Sequence, residues 1–464
     1  MLPPCAFTID ADIYKVERQD IRPPIFLSQL INKQMESSLS ESVQQLVRPG
    51  KCIDLYYADP QTAQKQCFRT IQNTRYVQEF TNKSSGSSVF TIPPNNGVQD
   101  IILVFEIPAN GGGIDYRGAG LNRGWGYSLI KQISFRYGGS SQYFMTGDQV
   151  LQNALRQAPN SGARDQILAL GGEALAGAVA GAGDFSVARR AYVWLSLPHC
   201  IPTAEGKLPP LPTDLLTQQV QITCEINPVK DIFSSVSPTP ANQVLPTTLS
   251  FAEFQCQQVL LEDQGDALAR RVDMTSHALS YPINFVQQKV SIPLQNSATQ
   301  SVSLTGFRSG EVKSLQVWIS KGADSTGAVK NPFRWYAPDD VVMTYAGEVY
   351  ARFDKGSGAL WNLVNSRIDP AVNDVRLADG GGGVITIATT PSLDRWLELP
   401  FAQSYDPLTA HSMYVAGKPI TNGIVNMTFS LPPDLAPATD LTLNVSYVYN
   451  SVLTFSQGTC DYVF

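Results

Sequence analysis

Three histidines, seven cysteines, two pairs of adjacent acids and one glycine-rich turn are the residues of this chain whose types could do chemistry. His199, His277 and His411 stand alone, with no second histidine and no Cys-x-x-Cys pair at metal-ligand spacing. His199 and Cys200 are neighbours, but adjacent residues of a strand point to opposite faces, which is poor geometry for a nucleophilic dyad. Glu262-Asp263 and Asp339-Asp340 could serve a glycosidase only if two carboxyls faced each other across a cleft; adjacent acids in polar turns read instead as solvated or strand-capping groups. Gly118-Ala119-Gly120-Leu121-Asn122-Arg123-Gly124 has the wrong spacing for a phosphate loop and lacks the strand-then-helix setting that aims backbone N–H groups at an anion. Trp125, Tyr127 and Trp335-Tyr336 fall in or beside long loops, where exposed rings would suit a glycan; the other reading is packing against the loop or against a neighbouring subunit. No catalytic, cofactor-binding or metal residue is predicted, and the chain is read as a non-enzyme.

Composition narrows the classes further. Charged residues make up 16% of the 464, against roughly 25% in ordinary soluble domains. That deficit suits a surface largely covered by copies of the same protein, and equally a protein rich in polar uncharged loops. A net charge of −6 with no Lys/Arg run argues against direct nucleic-acid binding. The odd number and irregular spacing of Cys5, Cys52, Cys67, Cys200, Cys224, Cys256 and Cys460 signal neither a disulfide framework nor a zinc site, and point to reduced thiols in a cytoplasmic setting. The first residues have no basic or apolar leader pattern. Ile167 to Gly183 is too short and too glycine-rich for a membrane span.

The elements that would position any site are used twice. Trp194-Leu195-Ser196-Leu197-Pro198 and Trp396-Leu397-Glu398-Leu399-Pro400 both read W-L-x-L-P. Upstream, Ser134-Phe135-Arg136-Tyr137-Gly138-Gly139 matches Val342-Met343-Thr344-Tyr345-Ala346-Gly347. Earlier still, Asn96-Gly97-Val98-Gln99-Asp100 and the apolar run to Phe105 match Ser309-Gly310-Glu311-Val312-Lys313 and the run to Trp318. The offsets drift through 213 (Gly97 to Gly310), 208 (Tyr137 to Tyr345) and 202 (Trp194 to Trp396), as a duplicated domain with loop deletions would leave them.

The pattern within each copy is short strands separated by turn residues. Strands are predicted near 88–92, 100–107, 128–137, 142–145, 191–197, 220–226 and 249–261. In the second copy they are predicted near 283–293, 299–305, 312–319, 340–346, 348–353, 394–399, 424–430 and 441–455. Short helices are predicted at Asp148 to Arg156, Glu262 to Arg271 and Leu360 to Val364, and long loops at 108–127, 157–187, 320–337 and 366–390. About eight strands per copy define an all-β chain of two tandem eight-stranded jelly rolls with short helices and long loops. The predicted divisions are an N-terminal arm (1–50), a first jelly roll (51–263), a linker (264–279) and a second jelly roll (280–464). The arm carries a breaker at Arg22-Pro23-Pro24 and a short amphipathic stretch from Leu27 to Leu46; it reads either as a flexible leader or as a grip on neighbours or on an underlying layer.

With that order in view, the chain resembles a known family. The hairpin at Asn96-Gly97, the strand to Phe105, Leu129-Ile130-Lys131-Gln132-Ile133-Ser134-Phe135-Arg136-Tyr137-Gly138-Gly139, then Tyr143 and a helix are similar to the first jelly roll of double jelly-roll major capsid proteins. These belong to the nucleocytoplasmic large DNA viruses and the wider PRD1-adenovirus lineage. Tyr345-Ala346-Gly347-Glu348-Val349-Tyr350-Ala351-Arg352-Phe353 resembles the matching strand pair in the second. Ile222-Thr223-Cys224-Glu225-Ile226-Asn227-Pro228-Val229 resembles the related poxvirus scaffold protein. The resemblance covers about 85–464 and implies a capsid subunit: a homotrimer of pseudo-hexagonal outline tiling an icosahedral shell. It would contact neighbouring capsomers and minor capsid or penton proteins, and its arm would reach an inner layer or membrane. Its place would be the virion, after assembly in the host cytoplasm or nucleus. A transient assembly scaffold of the same fold, and a tandem β-sandwich glycan-binding protein or glycosidase, are the alternatives.

Overall fold

A computed structural model of the chain describes residues 71–463, apart from 93–96, 138–142, 196–210, 262–278, 354–374, 377–385, 388–395, 401–417, 421–424 and a few breaks of one to three residues. Eight strands build the first half: β1 (Ile71–Glu79), β2 (Gly86–Ile92), β3 (Gly97–Ile107), β4 (Ile130–Arg136), β5 (Tyr143–Thr146), β6 (Arg189–Leu195), β7 (Val220–Ile226) and β8 (Phe251–Leu261). Eight more build the second: β9 (Leu279–Val286), β10 (Thr299–Leu304), β11 (Gly310–Lys321), β12 (Asp339–Tyr345), β13 (Glu348–Phe353), β14 (Leu397–Pro400), β15 (Val425–Ser430) and β16 (Leu441–Ser456).

Their pairing repeats with the period of the labels. The first sheet runs β1-β8-β3-β6 and the second β2-β7-β4-β5; the third runs β9-β16-β11-β14 and the fourth β10-β15-β12-β13. Adding eight to each label of the first half reproduces the second. All pairs along these orders are antiparallel. This interleaving, in which strand one lies beside eight and two beside seven, is the jelly roll. The three sequence matches fall on equivalent places: Gly97 and Gly310 open β3 and β11, Tyr137 and Tyr345 stand at the ends of β4 and β12, and the W-L-x-L-P segments contribute to β6 and β14, which pair β3 and β11.

Alternation explains the strands. In β2 the buried residues are Ser88, Phe90 and Ile92, and in β10 they are Gln300, Val302 and Leu304, with the intervening side chains turned outward. Aromatic rings dominate the first core, where Phe90 stacks on Phe254 at 4.6 Å and Phe80 meets Phe90 edge-on at 4.8 Å.

Several predicted elements are corrected. The expected strand at 128–137 begins only at Ile130, because Trp125–Leu129 forms one helical turn, α1, opened by Gly124 at a left-handed φ of 77°. Alternating apolar residues fit either geometry over so short a run. The loop expected at 108–127 also holds a short strand, Ala119–Leu121. The loop expected at 157–187 contains the helix α3 (Ser161–Leu170), a short strand (Leu175–Ala176) and a 3₁₀ turn (Gly183–Ser186). Ala163 to Leu170 are mostly good helix formers, and the glycines around them hid the signal; the pair Gly171-Gly172 ends the helix. The loop expected at 320–337 carries α4 (Gly322–Thr326). The single strand expected at 283–293 is two, β9 and Val290–Pro293. β1 and the last strand, Thr459–Val463, had no counterpart in the prediction. The helix predicted from Asp148 is present as α2 (Gly147–Gln157). The arm, the linker, its predicted helix and the helix at Leu360 lie outside the described residues.

Candidate interaction site at the junction of the halves

The most elaborate polar site in the described chain lies where the halves meet, and α2 supplies one side of it. Val150, Leu151, Ala154 and Leu155 recur at helical spacing and bury in the first core. That leaves Asp148 and Gln149 to face the second half. Thr146 starts the helix: its hydroxyl bonds the Asp148 carboxylate, and the same carboxylate accepts the Gln149 N–H at 3.1 Å.

The other side is the outer face of the β9-β16-β11-β14 sheet. An antiparallel sheet usually leaves one face to water, yet here Ser314, Gln316, Trp318, Glu398, Asn444 and Ser446 are all 3% exposed or less. Gln149 Nε2 donates to Ser446 Oγ at 2.8 Å and to the Gln287 carbonyl at 3.0 Å, and its Oε1 accepts from Lys289 N at 3.3 Å. Ser446 Oγ also donates to the Gln287 carbonyl at 2.7 Å. The Lys289 ammonium meets the Asp148 carboxylate at 2.5 Å and lies over the Trp318 ring. Beside this network Tyr143 packs edge-on against Phe285 at 4.9 Å, and Tyr462 touches Phe285, Tyr143 and Tyr137.

A second link passes through Lys330. Its backbone N–H donates to Ser234 Oγ at 2.7 Å, its carbonyl accepts from Asn122, and its ammonium reaches the Asp231 carbonyl at 2.7 Å. Burial pushes the Lys330 ammonium below its ordinary pKa; the Asp231 carboxylate opposes that shift and Lys230 adds to it. Gln149, Ser446, Asn122 and Ser234 are buried, and the bonds they make across the junction replace their bonds to water. Replacing Gln149 by alanine leaves Ser446 Oγ, the Gln287 carbonyl and Lys289 N short of a partner, and is expected to cost about 2 kcal/mol, read as a lower urea midpoint at unchanged slope.

Between the two links is a cleft of about 290 Å³ lined by Tyr127, Lys131, Asp148, Lys289, Trp318 and Trp335 among others. Its charges are of both signs, with Lys131, Lys289, Lys321 and Arg334 beside Asp148 and Asp324. No cluster of three metal-ligating side chains occurs among the described residues.

The residues singled out by type are scattered rather than gathered. Asp339 and Asp340 open β12, away from the cleft's lining, with Asp340 at a positive φ of 47°. The Gly118–Gly124 segment is a short strand leading into a five-residue helix and forms no phosphate cradle. Trp125, Tyr127, Trp335 and Tyr336 are buried, which favours packing within the chain over rings exposed to a glycan. Trp335 packs edge-on against Trp396 at 5.5 Å, so the tryptophan of the second W-L-x-L-P segment serves the interior. His199, His277, His411, Glu262, Asp263 and Cys5, Cys52, Cys67 and Cys200 lie outside the described residues. Nothing in the sequence pointed to Gln149, Ser446 or Gln287; the only trace is a polar flank on a helix whose other flank is apolar.

Cys224, Cys256 and Cys460 are buried in the sheets, and burial pushes all three thiols up, Cys256 to about 12. A thiol whose pKa is raised is a poor nucleophile at neutral pH. In a variant with the other four cysteines replaced by serine, a thiol reagent at pH 8 is expected to label none of the three until denaturant is added. Fast labelling of the native protein would contradict the burial.

No protein-family model matches the chain, and no curated protein sequence does either. Solved structures do match. PBCV-1 VP54, in its crystal structure fitted into a reconstruction of the virophage Sputnik, is similar with a TM-score of 0.55 at 14% identity over 85% of this chain and 98% of that one. The quasi-atomic model of the PBCV-1 virus capsid gives the same values. The cryo-EM structure of the Sputnik virophage gives 0.50 at 11% identity, over 85% and 88%. With the repeated strand order, these likenesses define the class: the chain has the double jelly-roll fold.

Proposed function

We propose that the chain is a major capsid protein, with three copies forming a pseudo-hexagonal capsomer that tiles an icosahedral viral shell. The observation that carries this reading is the repeat: two complete jelly rolls sealed at a buried polar junction, in a fold shared with the PBCV-1 virus capsid. Duplication gives three chains six similar units. The low charge content supports extensive self-contact, since interface cores are depleted in charge. On this reading the domains are 51–263 and 280–464 with 264–279 between them, and the arm at 1–50 grips an inner layer or neighbour. The partners are neighbouring capsomers and minor capsid or penton proteins, the location is the virion, and no residue does chemistry. The glycan-binding and glycosidase alternative loses its aromatic platform, because the four rings it would use are buried.

The test is the solution mass of the purified chain with negative-stain images of the same sample. A species near three times 50.6 kDa, or 151.8 kDa, with a hexagonal outline is expected. A 50.6 kDa monomer unchanged by concentration or salt would sink the reading. A trimer that is absent from purified particles would assign the chain to the transient scaffold instead.

A further inference from the structure

The cleft at the seam reverses the sign of the chain. The protein carries a net charge of −6, yet this opening is lined by four cations, Lys131, Lys289, Lys321 and Arg334, against two carboxylates, Asp148 and Asp324. Two of the cations are already answered: Lys131 pairs with Glu225 at 2.7 Å, and Lys289 with Asp148. The Asp148 carboxylate also accepts from the Thr146 hydroxyl and the Gln149 N–H, so three donors share its charge. Asp324 accepts from the Tyr336 hydroxyl at 3.4 Å. The Lys321 ammonium, at the end of β11, has no partner among the described residues. The Arg334 guanidinium lies 5.4 Å from the centre of the Tyr336 ring, and such stacking steadies the plane of its donor fork.

The rest of the lining fits an anion better than an apolar guest. Trp318, Phe333 and Trp335 are at most 2% exposed and pack into the floor, while Lys321 and Arg334 are half-buried and reach the opening. Helix α2 begins here at Gly147, and the positive end of a helix adds to the same field. Walls with an excess of one sign, set over a floor of low dielectric, concentrate ions of the other sign. A volume of about 290 Å³ stands at the lower edge of ligand pockets and suits a compact guest. We propose that this cleft binds a compact polyanion of the phosphate class, with Lys321 and Arg334 as its principal contacts. Lys131 and Gly147 belong to the first half and Lys289, Lys321 and Arg334 to the second, so the bound anion ties the two jelly rolls together and stabilises the junction. The inference goes beyond the capsid-subunit reading and does not rest on it, because a monomer offers the same cleft.

The probe is sodium tripolyphosphate, titrated into the full chain by calorimetry, with sodium chloride at matched ionic strength as the control. One site per chain is expected. At a free concentration about one hundred times the dissociation constant, the thermal unfolding midpoint should rise by about 3 °C. Lys321→Glu is expected to weaken binding about tenfold or more, and Lys321→Arg, which keeps the charge, to hold close to the wild-type affinity. Arg334→Gln should weaken it similarly and serves as the second variant if Lys321→Glu does not fold. ATP distinguishes the sources of such an anion: binding no tighter than tripolyphosphate assigns the site to a bare phosphate chain, tighter binding to a nucleotide, and either supports the proposal. Absence of binding at millimolar tripolyphosphate overturns it. So does an equal rise of the midpoint with sodium chloride, or wild-type affinity in both Lys321→Glu and Arg334→Gln.

Discussion

Replacing Trp318 by alanine is expected to destabilise the protein by about 3–5 kcal/mol, the usual cost of truncating a buried large aromatic. The ring is fully buried on the outer face of β11, at the seam between the halves, with the Lys289 ammonium above it. Truncation opens a void under the Asp148–Lys289 pair, and water entering there weakens both the pair and the neighbouring Gln149 network. The indole N–H has no hydrogen-bond partner among the described residues. Trp318→Phe therefore keeps most of the packing while removing an unsatisfied donor, and should cost much less than the alanine. Urea unfolding reads both. An alanine variant within about 1 kcal/mol of wild type would mean that the seam is not closed as described. If the seam sets the angle between the jelly rolls, the alanine variant should also lose trimer at concentrations where wild type keeps it.

Gly147→Ala is expected to cost about 3 kcal/mol, at the upper end for overpacking. A Cβ at this position would fall inside contact distance of the Ile130 and Tyr127 carbonyl oxygens. Both belong to backbone and cannot rotate away, so the start of α2 must shift. Gln149 sits two residues along and would leave Ser446 and the Gln287 carbonyl. Because both substitutions break one network, Gly147→Ala with Gln149→Ala should cost clearly less than the sum of the two. Additive costs in urea unfolding would show that Gly147 acts on the first core alone.

Much of the architecture could be read from the chain because its signals are local. Phe90 and Ile92, or Val302 and Leu304, alternate with polar neighbours, and alternation is set by the two-residue period of a strand. The duplication was legible for a related reason. Gly97 and Gly310, Tyr137 and Tyr345, and the two W-L-x-L-P segments keep their order, and each pair lands on equivalent strands of the two sandwiches. Where local signals were ambiguous the reading missed: Ser128 and Leu129 of α1 read as the start of a strand, and glycines beside α3 masked a helix.

Most of the strands and the repeat could be read from the chain, though not β1 or Thr459–Val463. Which faces are covered was settled by packing between distant segments. Ser314, Gln316, Asn444 and Ser446 are polar and look like solvent-facing residues, yet all four are buried, and Ser446 is bonded by Gln149 of the first jelly roll. Trp335 looks like a loop aromatic but packs on Trp396 of the second W-L-x-L-P segment. Burial of a sheet's second face depends on contacts between residues far apart in the chain: Gln149 and Ser446 are 297 positions apart. No periodicity within a strand encodes such a contact, because the strand's own geometry is the same whether its outer face meets water or another domain.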